Sequence, residues 1–171
     1  MALLVRKIEM GKWQPEALAN GKPVSADAIT GCMRTRGNTL SFWYVDEESE
    51  MDIAALAIVG ICSDINTLFL MPFDVEYFEN NGFTIVESEG DTPVSSLRGL
   101  HRDLSCLNLE CLNKLAKQSV ALICGDKVKK YSKLQLKELL KAAILQGEVK
   151  VGELPEKFQN QLLKSYPELA S

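Results

Sequence analysis

The chain has 171 residues, of which 46% are hydrophobic and 25% are charged, and its formal net charge is −4. A chain of this size can bury roughly 70% of the surface that it exposes when unfolded, so it needs no metal or disulfide to fold. Its composition excludes a disordered chain, a collagen-like chain and a disulfide-dense scaffold. We therefore predict one compact domain over residues 1–171, with a subdivision into 1–91 and 92–171 as the alternative.

The first half of the chain alternates strands with helices. Residues 3–8 are rich in branched apolar side chains, and residues 39–45 include β-branched and aromatic ones, which suit a pleated sheet. The patterns predict four strands, at 3–8, 39–45, 67–73 and 83–86. Between them they predict a short helix at 15–20, a helix capped by Ser25, a helix capped by Ser49 and a short helix after Asp74.

The second half predicts helices alone. The first begins at Thr92-Pro93 with leucines at helical spacing, the second is capped by Asn108, the third has a Ser132/Gln135 capping box, and the last begins at Pro155. These patterns predict an α+β or α/β fold, with a mixed sheet of about four strands in the N-terminal half and a helical C-terminal half.

Neither an export signal nor a membrane span is predicted. The five cysteines are odd in number and lack CxxC spacing. Reduced thiols in the cytoplasm are the expected state. The longest uncharged apolar run ends at Asp64 and is about half the ~20 residues that a transmembrane helix needs. We expect a cytoplasmic protein with no cofactor and no membrane contact.

Charge is distributed unevenly along the chain. Residues 37–97 contain twelve Asp and Glu and no Lys or Arg, whereas residues 98–171 contain thirteen Lys and Arg and eight Asp and Glu. An acidic segment repels nucleic acid and attracts basic surfaces. Either the basic C-terminal part neutralises this segment internally, or the segment binds a partner. The candidate partner-binding residues are Asp46, Glu47, Glu48, Glu50, Glu87, Glu89 and Asp91.

Residues 101–108 match the kinase catalytic-loop pattern H-R-D-L-x-x-x-N. The chain contains neither the glycine-rich loop nor the Asp-Phe-Gly motif of a kinase, and the leucines around the match predict a helix or a helix junction. The motif therefore lacks its structural context, which argues against a kinase. His101 is the only histidine, so the remaining enzymatic alternative pairs it with Cys106 or Cys111.

A cluster of lysines provides a nucleic-acid alternative. Three of them are four residues apart and would lie on one face of a helix, where they could contact phosphates. Aromatic and arginine side chains for base contacts are scarce nearby. The residues are Lys127, Lys129, Lys130, Lys133, Lys137 and Lys141.

Residues 1–8, 27–30 and 37–41 resemble short uncharacterised bacterial proteins of mobile-element and defence operons. The resemblance covers roughly the first 45 residues and implies a bacterial origin without a known activity or any functional residue. Together with the charge pattern, it leads us to expect a non-catalytic interaction module. Such a module would be an accessory, regulatory or immunity subunit that docks on a larger protein in antiviral defence. We expect that larger protein to be basic or to bind nucleic acid itself.

Overall fold

The computed structural model describes residues 1–62 and 64–170, and in these residues six strands form one antiparallel sheet. Its order is β4-β5-β2-β1-β3-β6, so the first strand lies near the centre. The strands are β1 (Leu3–Ile8), β2 (Leu40–Val45), β3 (Leu68–Asp74), β4 (Thr84–Glu87), β5 (His101–Ser105) and β6 (Lys129–Tyr131).

Helices cover both faces of this sheet. Short 3₁₀ turns occur at Glu48–Glu50, Ser95–Leu100, Val151–Glu153 and Pro167–Ala170. No helix within the described residues is both long and apolar enough to cross a membrane. The helices are α1 (Met10–Trp13), α2 (Pro15–Ala19), α3 (Ala26–Cys32), α4 (Met51–Gly60), α5 (Val75–Asn80), α6 (Leu109–Cys124), α7 (Lys133–Leu145) and α8 (Glu156–Ser165).

The sheet separates two hydrophobic clusters because side chains alternate along each strand. Leu3 and Val5 pack with α4, α7 and α8 on what we term the α4 face. Leu4 and Ile8 pack with α1, α3 and α6 on the opposite, α6 face. Burial on both faces explains why residues 3–5 of β1 and 68–73 of β3 are apolar runs rather than alternating ones.

Local capping signals are confirmed at three helices. The Ser25 side chain accepts a hydrogen bond from the Ala28 N–H, and Asn108 accepts one from Cys111 in the same way. Ser132 and Gln135 form the predicted capping box at the start of α7. The cap predicted at Ser49 is wrong, because a 3₁₀ turn precedes α4 and the Ser49 hydroxyl donates to Glu47.

The predicted α+β class is confirmed, but the predicted sheet is too small. It has six strands rather than about four, and every strand pair is antiparallel rather than mixed. Strands β5 and β6 come from the half that was predicted to be wholly helical. Thus one sheet contains strands from both sides of residue 91.

Candidate functional site

The two acidic loops lie at the same end of the sheet. Strands β2 and β4 both pair antiparallel with β5 between them, so they run in the same direction and finish together. Loop 46–50 follows β2, and loop 87–91 spans the last residue of β4 and the turn after it. We call their carboxylates the acidic end; all are exposed except Glu50, which is half-buried. Its members are Asp46, Glu47, Glu48, Glu50, Glu87, Glu89 and Asp91.

Hydrogen bonds within loop 46–50 fix part of the acidic end. The Tyr44 hydroxyl donates to Asp46 Oδ1 at 2.9 Å, and this bond to a carboxylate raises the pKa of Tyr44. The Asp46 backbone N–H donates to Glu50 Oε2, also at 2.9 Å. These contacts leave both carboxylates with further lone pairs that face solvent or a partner.

Arg102 connects the two acidic loops. Its Nη2 lies 3.1 Å from Glu87 Oε1, and its guanidinium lies over the Tyr44 ring at 5.3 Å from the centroid. It also donates to the backbone oxygens of Gly99 and His101. Sequence reasoning missed this residue, because its role depends on β5 lying between β2 and β4. If residues 101–105 had been predicted as a strand, the alternation of side chains would have placed Arg102 on the opposite face from His101 and Asp103.

Internal neutralisation of the acidic segment is partial. Over residues 1–62 and 64–170, the ion pairs between this segment and the basic C-terminal part involve Asp52, Asp64 and Glu87. Glu48, Glu89 and Asp91 have no ion pair or side-chain hydrogen bond to any described residue. The acidic end therefore retains unpaired negative charge.

The kinase-like motif lies on strand β5 and forms a polar network on the α4 face. Ser88 Oγ lies 2.7 Å from His101 Nδ1 and donates to Asp103 Oδ2 at 2.9 Å. The Ser41 hydroxyl donates to the other oxygen of Asp103 at 3.0 Å. The hydroxyl proton of Ser88 is directed to the aspartate, so the imidazole N–H is the donor to Ser88.

This network differs from a catalytic triad in its order. A triad places the histidine between the nucleophile and the acid, whereas here Ser88 lies between His101 and Asp103, whose Nδ1 and Oδ2 are 4.0 Å apart. The arrangement holds the end of β4 against β5 and β2. It therefore fixes the position of loop 87–91 at the acidic end.

Acidification provides a test of how this network contributes to stability. Burial lowers the pKa of His101, with Arg102 acting in the same direction and Asp103 opposing it. As the pH falls, the unfolded chain therefore takes up the proton first. The contribution of His101 to the free energy of unfolding is therefore complete above the pKa of about 6.5 in the unfolded chain. It is lost as the pH falls below that value.

We expect the urea midpoint of the wild-type protein to fall more between about pH 7.5 and pH 5.5 than that of His101→Gln. His101 is the only histidine, so no other imidazole contributes. Equal losses in the two proteins would contradict this assignment.

The structure does not bring the candidate cysteines to the histidine. Cys106 follows the last residue of β5, so the length of that strand, about 16 Å, separates it from His101 at the other end. Cys111 lies half-buried on α6 and packs against the α6-face cluster. In the part of the chain that the structure describes, no cluster of three or more His, Cys, Asp or Glu could hold a metal ion.

The lysines of strand β6 have intramolecular partners on opposite faces of the sheet. Lys129 Nζ lies 3.3 Å from Asp52 Oδ1 and 5.0 Å from the centroid of the Tyr131 ring. Lys130 lies over the Phe69 ring, at 5.9 Å. These two lysines do not form a common surface.

The lysines of α7 are also divided. Lys137 donates to the Ser165 hydroxyl at 2.6 Å. Lys141 lies 2.9 Å from Glu168 and over the Tyr166 ring at 4.4 Å. The C-terminal segment thus covers two of the three lysines predicted to form a stripe, while Lys133 and Lys127 are exposed.

Comparison with known proteins gives no match: no family model, no curated protein and no solved structure matches this chain.

Proposed function

We propose that this protein is a non-catalytic interaction module that docks a basic surface of a larger protein against its acidic end. It would act as an accessory, regulatory or immunity subunit in the bacterial cytoplasm, in a defence setting. The observation that carries the proposal is the placement of two exposed acidic loops at one end of the sheet.

Two features of the acidic end support binding to a protein. Tyr44, Arg102 and the Ser88–His101–Asp103 network hold the loops, so their carboxylates lose less conformational freedom when a partner binds. Complementary charge also accelerates the encounter with a basic partner and selects against acidic ones. Both effects require the unpaired carboxylates to be available.

Site-specific photo-crosslinking in the native host tests this proposal. A crosslinker at position 48 or 89 is expected to capture a partner with a basic surface. A crosslinker at Glu16, an exposed position on α2, is expected to capture none. Association with the isolated partner should slow as ionic strength rises from about 0.01 M to 0.15 M, because the Debye length falls from about 30 Å to 8 Å.

Neutralising carboxylates at two different places tests whether a partner responds to the acidic end or only to the net charge of the protein. We expect a triple neutralisation of the unpaired carboxylates to slow association roughly tenfold, through loss of electrostatic steering. A matched triple neutralisation elsewhere should have little effect. The test substitutions are Glu48→Gln, Glu89→Gln and Asp91→Asn, and the controls are Glu16→Gln, Glu148→Gln and Glu156→Gln. Equal effects of the two sets, or no capture at any position, would overturn the proposal.

A further inference from the structure

A cleft opens where β1 and β2 separate. The two strands pair only between Leu3–Val5 and the last three residues of β2, whereas β1 pairs with β3 over six residues. Beyond Val5 the strands diverge and leave a cavity of about 360 Å³ that is bounded by parts of α3 and α4. This volume is at the lower end of the range of about 300–1,000 Å³ for small-ligand sites.

Arg6 lines the cleft and has no acidic partner there. Its Nε donates to the Cys32 backbone oxygen at 2.9 Å, and its Nη1 donates to the Ser41 backbone oxygen at 2.5 Å. Its guanidinium also lies 5.6 Å from the centroid of the Phe42 ring. A guanidinium has five N–H donors, so three of them have no partner among the described residues.

The environment of Arg6 disfavours its positive charge. Burial lowers the pKa of Arg6 to about 10, and the acidic groups that oppose this effect do not bond to the guanidinium. Arg6 is half-buried, and a partly desolvated cation without a counter-ion is stabilised by an anion bound beside it. The cleft therefore favours a negatively charged ligand.

The other residues that line the cleft indicate what else a ligand must contain besides its negative charge. Lys7 Nζ lies 3.5 Å from Cys62 Sγ and adds positive charge at the mouth of the cleft, on the opposite face of β1 from Arg6. The carboxylate of Glu9 is already paired with Lys12 at 2.6 Å. Trp43 and Ile61 contribute apolar surface, and Ile61 is 48% exposed although it lies beside the cavity.

We propose that this cleft binds a small organic carboxylate, with the carboxylate on Arg6 and an apolar body against Trp43 and Ile61. The planar fork of a guanidinium matches a carboxylate, and the apolar wall favours an organic acid over a bare inorganic anion. The site lies in the half of β1 and β2 away from the acidic end, so it does not depend on the proposed docking function.

Titration of the full-length protein with matched acids and amides tests this assignment. The probes are hexanoate, 4-phenylbutyrate and indole-3-propionate, each with its neutral primary amide, and inorganic phosphate. We expect at least one acid to shift backbone NMR signals of residues that line the cleft. The matching amide and phosphate should leave these signals unchanged, and signals from α8 should not move with any probe.

Two substitutions at the mouth of the cleft leave Arg6 and its bonds to the Cys32 and Ser41 backbone oxygens in place. Ile61→Glu should weaken acid binding by at least about tenfold, because it places a like charge beside the ligand. Lys7→Gln should weaken it by at most about fivefold, because Lys7 is an exposed charge that attracts the acid without contacting it. The matched controls, Leu109→Glu and Lys127→Gln, should leave the affinity unchanged.

Three results would overturn the proposal. The first is that no acid shifts the cleft signals. The second is that acid and amide bind equally, which would make the site simply apolar. The third is that phosphate alone shifts those signals. Partner capture at the acidic end is measured separately, so failure here leaves the docking proposal intact.

Discussion

Replacing Phe78 with alanine should lower the free energy of unfolding by about 3–5 kcal/mol, the largest effect that we expect from a single substitution. Phe78 is fully buried on α5, and its ring centroid lies 5.3–5.6 Å from four other aromatic rings. Truncation removes all of these contacts and leaves a cavity that rigid neighbours cannot fill. The rings belong to Phe42, Phe73, Tyr77 and Phe83.

Urea denaturation measures this loss as a shift of the midpoint. The control is Leu109→Ala, since Leu109 is 83% exposed and buries almost nothing; its effect should stay within about 0.5 kcal/mol. A loss of less than about 1 kcal/mol for Phe78→Ala would show that this aromatic cluster is loosely packed.

Gly90→Ala should destabilise the protein by about 1–3 kcal/mol, the cost of overpacking a filled site. A Cβ atom at Gly90 would lie 2.3 Å from Trp43 Cη2 and 3.0 Å from His101 Cβ. Trp43 is itself almost fully buried, so its ring cannot move aside easily. Loop 87–91 would have to lift from the sheet, and this would also displace part of the acidic end.

Gly152→Ala is the matched control for this substitution. A Cβ atom at Gly152 meets no other atom within 4 Å, so this variant should be close to neutral in the same urea experiment. Equal midpoints for the two variants would contradict the close packing of Gly90 on Trp43. A displaced loop should also reduce partner capture by a crosslinker at position 89.

The elements that the sequence predicted well are those determined by neighbouring residues. Side-chain caps at Ser25, Asn108 and Ser132 act over three residues, so their patterns are visible in the sequence. Strand β5 was missed because the leucines before and within it have helical spacing, while its conformation depends on pairing with β2 and β4. Strand β6 has only three residues, which is too short for a periodic signal.

The candidate site was predictable in composition but not in position. The acidic residues were identifiable by counting, yet only the order of the strands places loops 46–50 and 87–91 at one end of the sheet. Likewise, the spacing of Lys137 and Lys141 predicted one helix face, but contacts more than 25 residues away cover that face. The cleft beside Arg6 had no sequence signal, because it results from the divergence of two strands.

The position of β5 between β4 and β2 constrains the route by which the sheet assembles. Strand β4 pairs only with β5 among the described residues, so it has no neighbour to join until the chain has been synthesised through Ser105. On this side of the sheet, β5 must therefore pair with β2 before β4 can join the sheet, although β4 is synthesised first. Until then, the open margin of β2 exposes unpaired backbone groups, and a nascent chain at this stage is vulnerable to intermolecular strand pairing.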